Sequence, residues 1–197
     1  MADSEVTKRA VTVYGASSDQ IDPRYKDAAY ELGRRIAEAG CSLVCGGGKA
    51  GLMKAAIDGA VDAGGEAIGV LPHFMVENAW QYQRLTSMID TSDMHSRKHT
   101  MARMSCAAIA CPGGCGTFEE LMEIITWRQL NLYRGQVVIL NTAGYYDPLL
   151  QLLENAVEQR FMHPDHRRLY AVASTPEEAV SLALRPVDPT LFTQKIH

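Results

Sequence analysis

With 197 residues, 47% of them hydrophobic and 21% charged, the chain has the size and composition of one soluble globular domain with a single core. Nineteen basic against 23 acidic side chains leave a net charge of −4, and no block of like charge occurs, which excludes the footprint of a nucleic-acid binder but not a small local basic site. No apolar run approaches the roughly 20 residues that cross a bilayer, MADSEVTKRA lacks a signal-peptide core, and an odd count of five cysteines points to reduced thiols in the cytoplasm.

The first residues, 1–9, read as a flexible lead-in. AVTVY (10–14) then reads as a strand, and residues 23–40 as a helix with proline at its start and glycine at its end. CSLVC (41–45) is a second strand and GLMKAAIDGAVDAG (51–64) a second helix, followed by the strand EAIGVLP (66–72). Residues 73–93 have weak periodicity and read as loops with one short helix or strand. HSRKHTMARMS (95–105) is helical, CAAIAC (106–111) a strand and TFEELMEIITWRQLNL (117–132) a long helix. QVVILN (136–141) is a strand, and DPLLQLLENAVEQRF (147–161) is a helix opened by Asp147 and Pro148. A short strand near LYAVA and a last helix, TPEEAVSLAL, capped by Thr175, complete the order.

Short, almost wholly apolar strands alternating with helices predict a parallel sheet covered on both faces. The expected fold is therefore a doubly wound, Rossmann-like α/β domain spanning 1–197. Ligands of such sheets bind beyond the carboxyl ends of the strands, and three strands end in small residues: VYGASS (13–18), VCGGGKAG (44–51) and CPGGCGTFEE (111–120). A strand–glycine–helix junction leaves backbone N–H groups free to hold an anion, most simply a phosphate.

Gly46, Gly48 and Gly51 satisfy G-x-G-x-x-G, but the next strand ends in Leu71, Pro72 and His73, without the acid that would hold a dinucleotide ribose. Lys49 also lacks the following Ser or Thr of a P-loop. CPGGCGTFEE is more informative. Gly113, Gly114 and Gly116 free three amides around one point, and Thr117 adds a hydroxyl. At about 100° per residue, Thr117, Glu120, Ile124 and Trp127 share one helix face, whereas Glu119 points away, toward solvent or as a helix-dipole partner. Arg97 and Lys98 lie on the helix just upstream, where a guanidinium could clamp phosphate or neutralise charge. His95 and His99 have i, i+4 spacing, but no third metal ligand accompanies them. Cys41, Cys45, Cys106 and Cys111 belong to buried strands as small hydrophobes, while Cys115 occupies the glycine loop.

GGGKAGLM (46–53), RKHTM (97–101) and PGGCGTFEE (112–120) together resemble the LOG family of nucleoside 5′-monophosphate phosphoribohydrolases, often labelled lysine decarboxylases. Every fixed position of the hallmark PGGxGTxxE is matched, by Pro112, Gly113, Gly114, Gly116, Thr117 and Glu120. The likeness runs from about Val11 through GYYDPLL (144–150) to the last helices. It implies cleavage of the N-glycosidic bond between an N6-modified adenine and ribose 5-phosphate. The resemblance makes Glu120, expected to be ionised, and Arg97 catalytic. Lys98, Gly113, Gly114, Gly116, Thr117, Gly47, Gly48 and Met94 would bind the substrate. It implies a homodimer and no metal or redox cofactor. Two alternatives stay open: an AMP nucleosidase, or a nucleotide-binding module without turnover.

Overall fold

The computed structural model describes residues 9–188, so the lead-in lies, except for Arg9, outside the described residues. Seven strands form one sheet: β1 (Ala10–Tyr14), β2 (Ser42–Cys45), β3 (Ala67–Pro72), β4 (Ser87–Thr91), β5 (Ala107–Ala110), β6 (Gln136–Leu140) and β7 (Ala171–Ala173). They pair in parallel in the order β4-β3-β2-β1-β5-β6-β7. The chain builds outward from β1 to β4, returns, and builds the other way from β5. The strand order therefore reverses between β1 and β5, and the loops above that junction diverge and leave a crevice.

Helices α1 (Pro23–Glu38), α2 (Gly51–Asp62) and α7 (Pro176–Ala183) cover one face, and α4 (Met94–Met104), α5 (Cys115–Gln129) and α6 (Asp147–Glu158) the other. Strand residues alternate between these two cores: Val11 and Val13 pack toward α1 and α2, Ala10 and Tyr14 toward α4 and α5. This two-sided burial explains why AVTVY shows no polar alternation. Its one hydroxyl, Thr12, is satisfied by the Met101 carbonyl at 3.0 Å and the Ser105 hydroxyl at 2.6 Å. On the other face α1 and α2 meet at backbone distance. A Cβ on Gly33 would lie 2.8 Å from the Ala56 carbonyl carbon, and one on Gly59 equally close to that of Tyr30.

Two boundaries differ from the sequence reading. Residues 73–93 hold both a short helix, α3 (His73–Glu77), and the edge strand β4. Neither carries a periodic signal, because α3 buries no residue and β4 is exposed or half-buried throughout. Helix α5 begins at Cys115 on a Gly114 cap and ends at Gln129 rather than 132. Asn131 adopts φ +61°, a left-handed conformation that ends helices and that asparagine tolerates. Thr117 consequently sits in the first turn of α5 and Glu120 in the second.

Candidate active site

The loops after β1, β2 and β5 are tied together above the strand-order reversal. The Ala16 amide donates to the Pro112 carbonyl (3.1 Å), and the Leu52 amide donates to the Ala16 carbonyl (2.8 Å). Asp19 accepts from the Gly51 amide at 3.0 Å. Gly51 has φ +64°, and a Cβ there would lie 2.7 Å from the Ser17 carbonyl carbon, so only glycine lets the first and second loops touch. From the turn that leads into α6, Tyr146 donates to the Cys111 carbonyl (2.7 Å) and Tyr145 to that of Gly113 (2.5 Å), which explains the tyrosines of GYYDPLL. These loops surround a cavity of about 630 Å³, within the size range of small-molecule sites.

The cavity floor holds a buried ion pair. Arg97 projects from the first turn of α4, whose N-cap Asp93 accepts from the Ser96 amide at 2.7 Å. Its Nη1 donates to Glu120 Oε1 at 2.9 Å and its Nε to the Val70 carbonyl at 3.0 Å. The two side chains are only 8% and 11% exposed. Gly46 makes room for the guanidinium: a Cβ there would overlap Arg97 Nη2. Burial pushes the Glu120 carboxyl above its ordinary range, and the Arg97 guanidinium opposes that rise.

The glycines of the third loop have separate tasks. A Cβ on Gly113 would lie 2.5 Å from Thr117 Cβ, so this glycine seats the buried threonine. Gly114 and Gly116 would meet no protein atom within 4 Å, and both line the cavity. What they keep clear is the cavity itself, beside the amino end of α5, where an anion is favoured. Facing them are Gly15 to Ser18 of the first loop and Gly48 to Ala50 of the second. The lining also includes apolar side chains: Met53, Leu71, Met75, Trp80 and Met94.

Trp80 is carried by a strap, residues 78–86, pinned to the second loop and to α2. The Tyr82 amide donates to the Gly47 carbonyl (2.8 Å), Lys49 Nζ to that of Ala79 (2.8 Å), and Tyr82 and Arg84 both bond Asp58 (2.9 and 2.6 Å).

The structure thus brings together Arg97, Glu120, Thr117, Gly114, Gly116, Gly48 and Met94, all of them cavity residues. Three of the expected substrate ligands are placed elsewhere. Gly47, at φ +67°, packs its Cα face against Gly69 and Leu71. Gly113 lies behind the main cavity, on a smaller apolar one with Tyr25 and Tyr145. Lys98 does not line the cavity; its buried ammonium is held by Glu119 and by Glu123 at 3.1 Å. Glu119 is exposed as expected, its side chain 54% accessible; it also lines the cavity and pairs with Lys98. His99 packs edge-on against Trp127, ring centroids 6.0 Å apart. Among the described residues no three His, Cys, Asp or Glu side chains are grouped to hold a metal ion. The sequence reading missed Ser17, Ser18, Lys49 and Trp80 as cavity residues. VYGASS offered a signal for the serines; the aperiodic segment around Trp80 offered none.

A family model described as "possible lysine decarboxylase" matches residues 53–183. The chain is 41% identical over 172 residues to the rice cytokinin riboside 5′-monophosphate phosphoribohydrolase LOG, covering 87% of this chain and 71% of that protein. It is 37% identical over 180 residues to Arabidopsis thaliana LOG7, of the same name, covering 91% and 83%. Among solved structures, it is similar to the molybdenum cofactor binding protein of Rippkaea orientalis (TM-score 0.69, 28% identity, 89% of this chain and 94% of that one). It is also similar in fold to the molybdenum cofactor carrier protein of Chlamydomonas reinhardtii (TM-score 0.67, 24% identity, 95% and 99%).

Proposed function

The chain belongs to the "possible lysine decarboxylase" or LOG family, and from that premise we propose how its cavity hydrolyses cytokinin riboside 5′-monophosphates to free base and ribose 5-phosphate. The observation that carries the reading is the buried Arg97–Glu120 pair beside the glycine loop. The enzyme is an N-glycosyl hydrolase. The family's decarboxylase label does not suit these residues. A Schiff-base lysine must shed its proton; Lys98 lies off the cavity and is held protonated by Glu119 and Glu123, which outweigh its burial, and the cavity lysine, Lys49, gives its ammonium to the Ala79 carbonyl at 2.8 Å.

The 5′-phosphate binds at Gly114, Gly116 and Thr117, at the amino end of α5. This grip, remote from the reacting carbon, orients C1′ over Glu120. As the C1′–N9 bond breaks, its electron pair leaves with the purine and positive charge builds on the ribose. The Glu120 carboxylate stabilises that charge and takes a proton from the water that adds to C1′; that proton passes on to the purine anion, which leaves as the neutral base, and the carboxylate is regenerated. Arg97 fixes the carboxylate and offsets negative charge on the departing base. The apolar side chains of Met53, Leu71, Met75, Trp80 and Met94 favour an apolar N6 substituent over plain AMP. The likeness to a molybdenum cofactor binding protein supports a second reading, ligand binding without turnover, in which nucleotide would be held and not cleaved.

Incubation with N6-isopentenyl-AMP and with AMP, followed by chromatography for free base, tests these readings. Release from the first at the higher kcat/KM is expected. Comparable release from AMP would identify an AMP nucleosidase, and binding without release a binding module. Glu120→Gln is expected to lose turnover by about 10²-fold or more while retaining nucleotide binding; near-normal turnover would refute its role.

No helix among the described residues is long and apolar enough to cross a membrane. An odd number of cysteines, five, supports a reducing, cytoplasmic setting. Exposed Phe118, Met122, Leu130 and Leu132 on and after α5 support a homodimer.

A further inference from the structure

Lys98 is an anomaly in the resemblance: a cation assigned to substrate phosphate, buried and committed to carboxylates. It and Arg97 are adjacent on α4, and each reaches a carboxylate of α5: Arg97 to Glu120, and Lys98 to Glu119 and Glu123. Glu119 lines the same cavity as Glu120 and the glycine loop. A substrate phosphate at Gly114 and Gly116 therefore arrives near the half-exposed Glu119 carboxylate, which is paired with Lys98. Without Lys98, the single guanidinium of Arg97 would face three carboxylates.

We propose that Lys98 is a positioning residue that neutralises Glu119 and Glu123, so that substrate phosphate and Glu120 meet no unpaired negative charge, and that it does not itself ligate phosphate. The inference rests on the hydrolase reading for its kinetic consequences, but its electrostatic core is independent of turnover. The charged groups that act on Glu120 are Arg97 and Lys98 of α4 and Glu119 of its own helix; Lys98 lowers its pKa and Glu119 raises it. Glu123 shares the Lys98 ammonium. Tyr14 of β1, Cys45 of β2 and Tyr146 of α6 also face it, and all three stay neutral. Burial raises each of them, Cys45 to about 11. The balance around Glu120 near neutral pH is thus set by the α4 cations against the α5 acids.

The test is second-site rescue. Lys98→Gln should raise KM for N6-isopentenyl-AMP and shift the acid limb of kcat/KM upward, each by about tenfold in the corresponding constant, the order of one like-charge contact at a partly buried site. Adding Glu119→Gln should restore both, because it removes the charge that Lys98 had offset. If Lys98 instead ligates phosphate, the second substitution restores nothing, and that result overturns the proposal. Should Lys98→Gln fail to fold by circular dichroism, Lys98→Met carries the same comparison.

Titration of Glu120 by carbon-13 NMR, assigned with Glu120→Gln, is the parallel readout. Its midpoint should rise in Lys98→Gln and return in the double variant. Wild-type protein that releases no base while this midpoint moves as stated would sink the hydrolase reading and leave this inference standing. Normal base release with an immobile midpoint would sink the inference alone.

Discussion

Gly46→Ala isolates the contribution of guanidinium placement without touching a charged group. A Cβ on Gly46 would overlap Arg97 Nη2 and lie 3.2 Å from its Cζ and 3.1 Å from Met53 Sδ. Contact at ease needs about 3.5–4.0 Å, so the guanidinium must retreat by more than about 1 Å. It cannot retreat freely, because Nε is bonded to the Val70 carbonyl at 3.0 Å and Nη1 to Glu120 at 2.9 Å. A shift of that size takes at least one of these bonds beyond hydrogen-bond range.

Misplacement of that size costs about 10²-fold in rate, equivalent to about 2.7 kcal/mol of barrier. Overpacking adds about 1–3 kcal/mol of lost stability. The assay is kcat from chromatography of released base, run well below the variant's Tm, with nucleotide affinity measured separately by calorimetry. Affinity for the 5′-phosphate should change little relative to kcat. Turnover within threefold of wild type would show that the Arg97–Glu120 geometry is not what the reaction depends on.

Trp80→Ala removes one of the apolar lining side chains and should cut the kcat/KM preference for N6-isopentenyl-AMP over AMP by about tenfold, the scale set by packing a few methylene groups of substrate against hydrophobic side chains; an unchanged ratio would place the N6 group elsewhere. In the wild type, kcat/KM needs ionised Glu120, whose pKa burial raises above 4.5. Activity should therefore fall as pH drops through a value above 4.5, as a single-proton limb. A limb below that value would assign the titration to a different group.

Much of this was legible in the sequence, for identifiable reasons. The parallel sheet showed in runs such as AVTVY and CSLVC, because burial on both faces leaves no polar alternation. Glu120 was separated from Glu119 by helical phase, since rotation per residue is a local property. Phase also placed Glu119 on the solvent side, where its side chain is 54% exposed; what phase could not give is its partner, Lys98, a cation on another helix. Local rules gave residues 73–93 one short helix or strand where both α3 and β4 occur, and missed the strap that carries Trp80. These elements lie at the sheet edge, expose most of their side chains, and owe their placement to bonds with Gly47, Asp58 and Ala67, residues far away in the chain.

Residue type and short-range spacing were enough for the order of elements and the glycine-bearing strand ends, and the likeness to the LOG family named Arg97 and Glu120 as the catalytic candidates. Only the tertiary structure decided which backbone atoms each glycine must admit, that Gly46 exists for Arg97 and Gly113 for Thr117, and that Lys98 serves carboxylates. Those are meetings of residues 4 to 51 positions apart in the chain, and their geometry arises only when β1 and β5 pair and the loops above them close around one cavity.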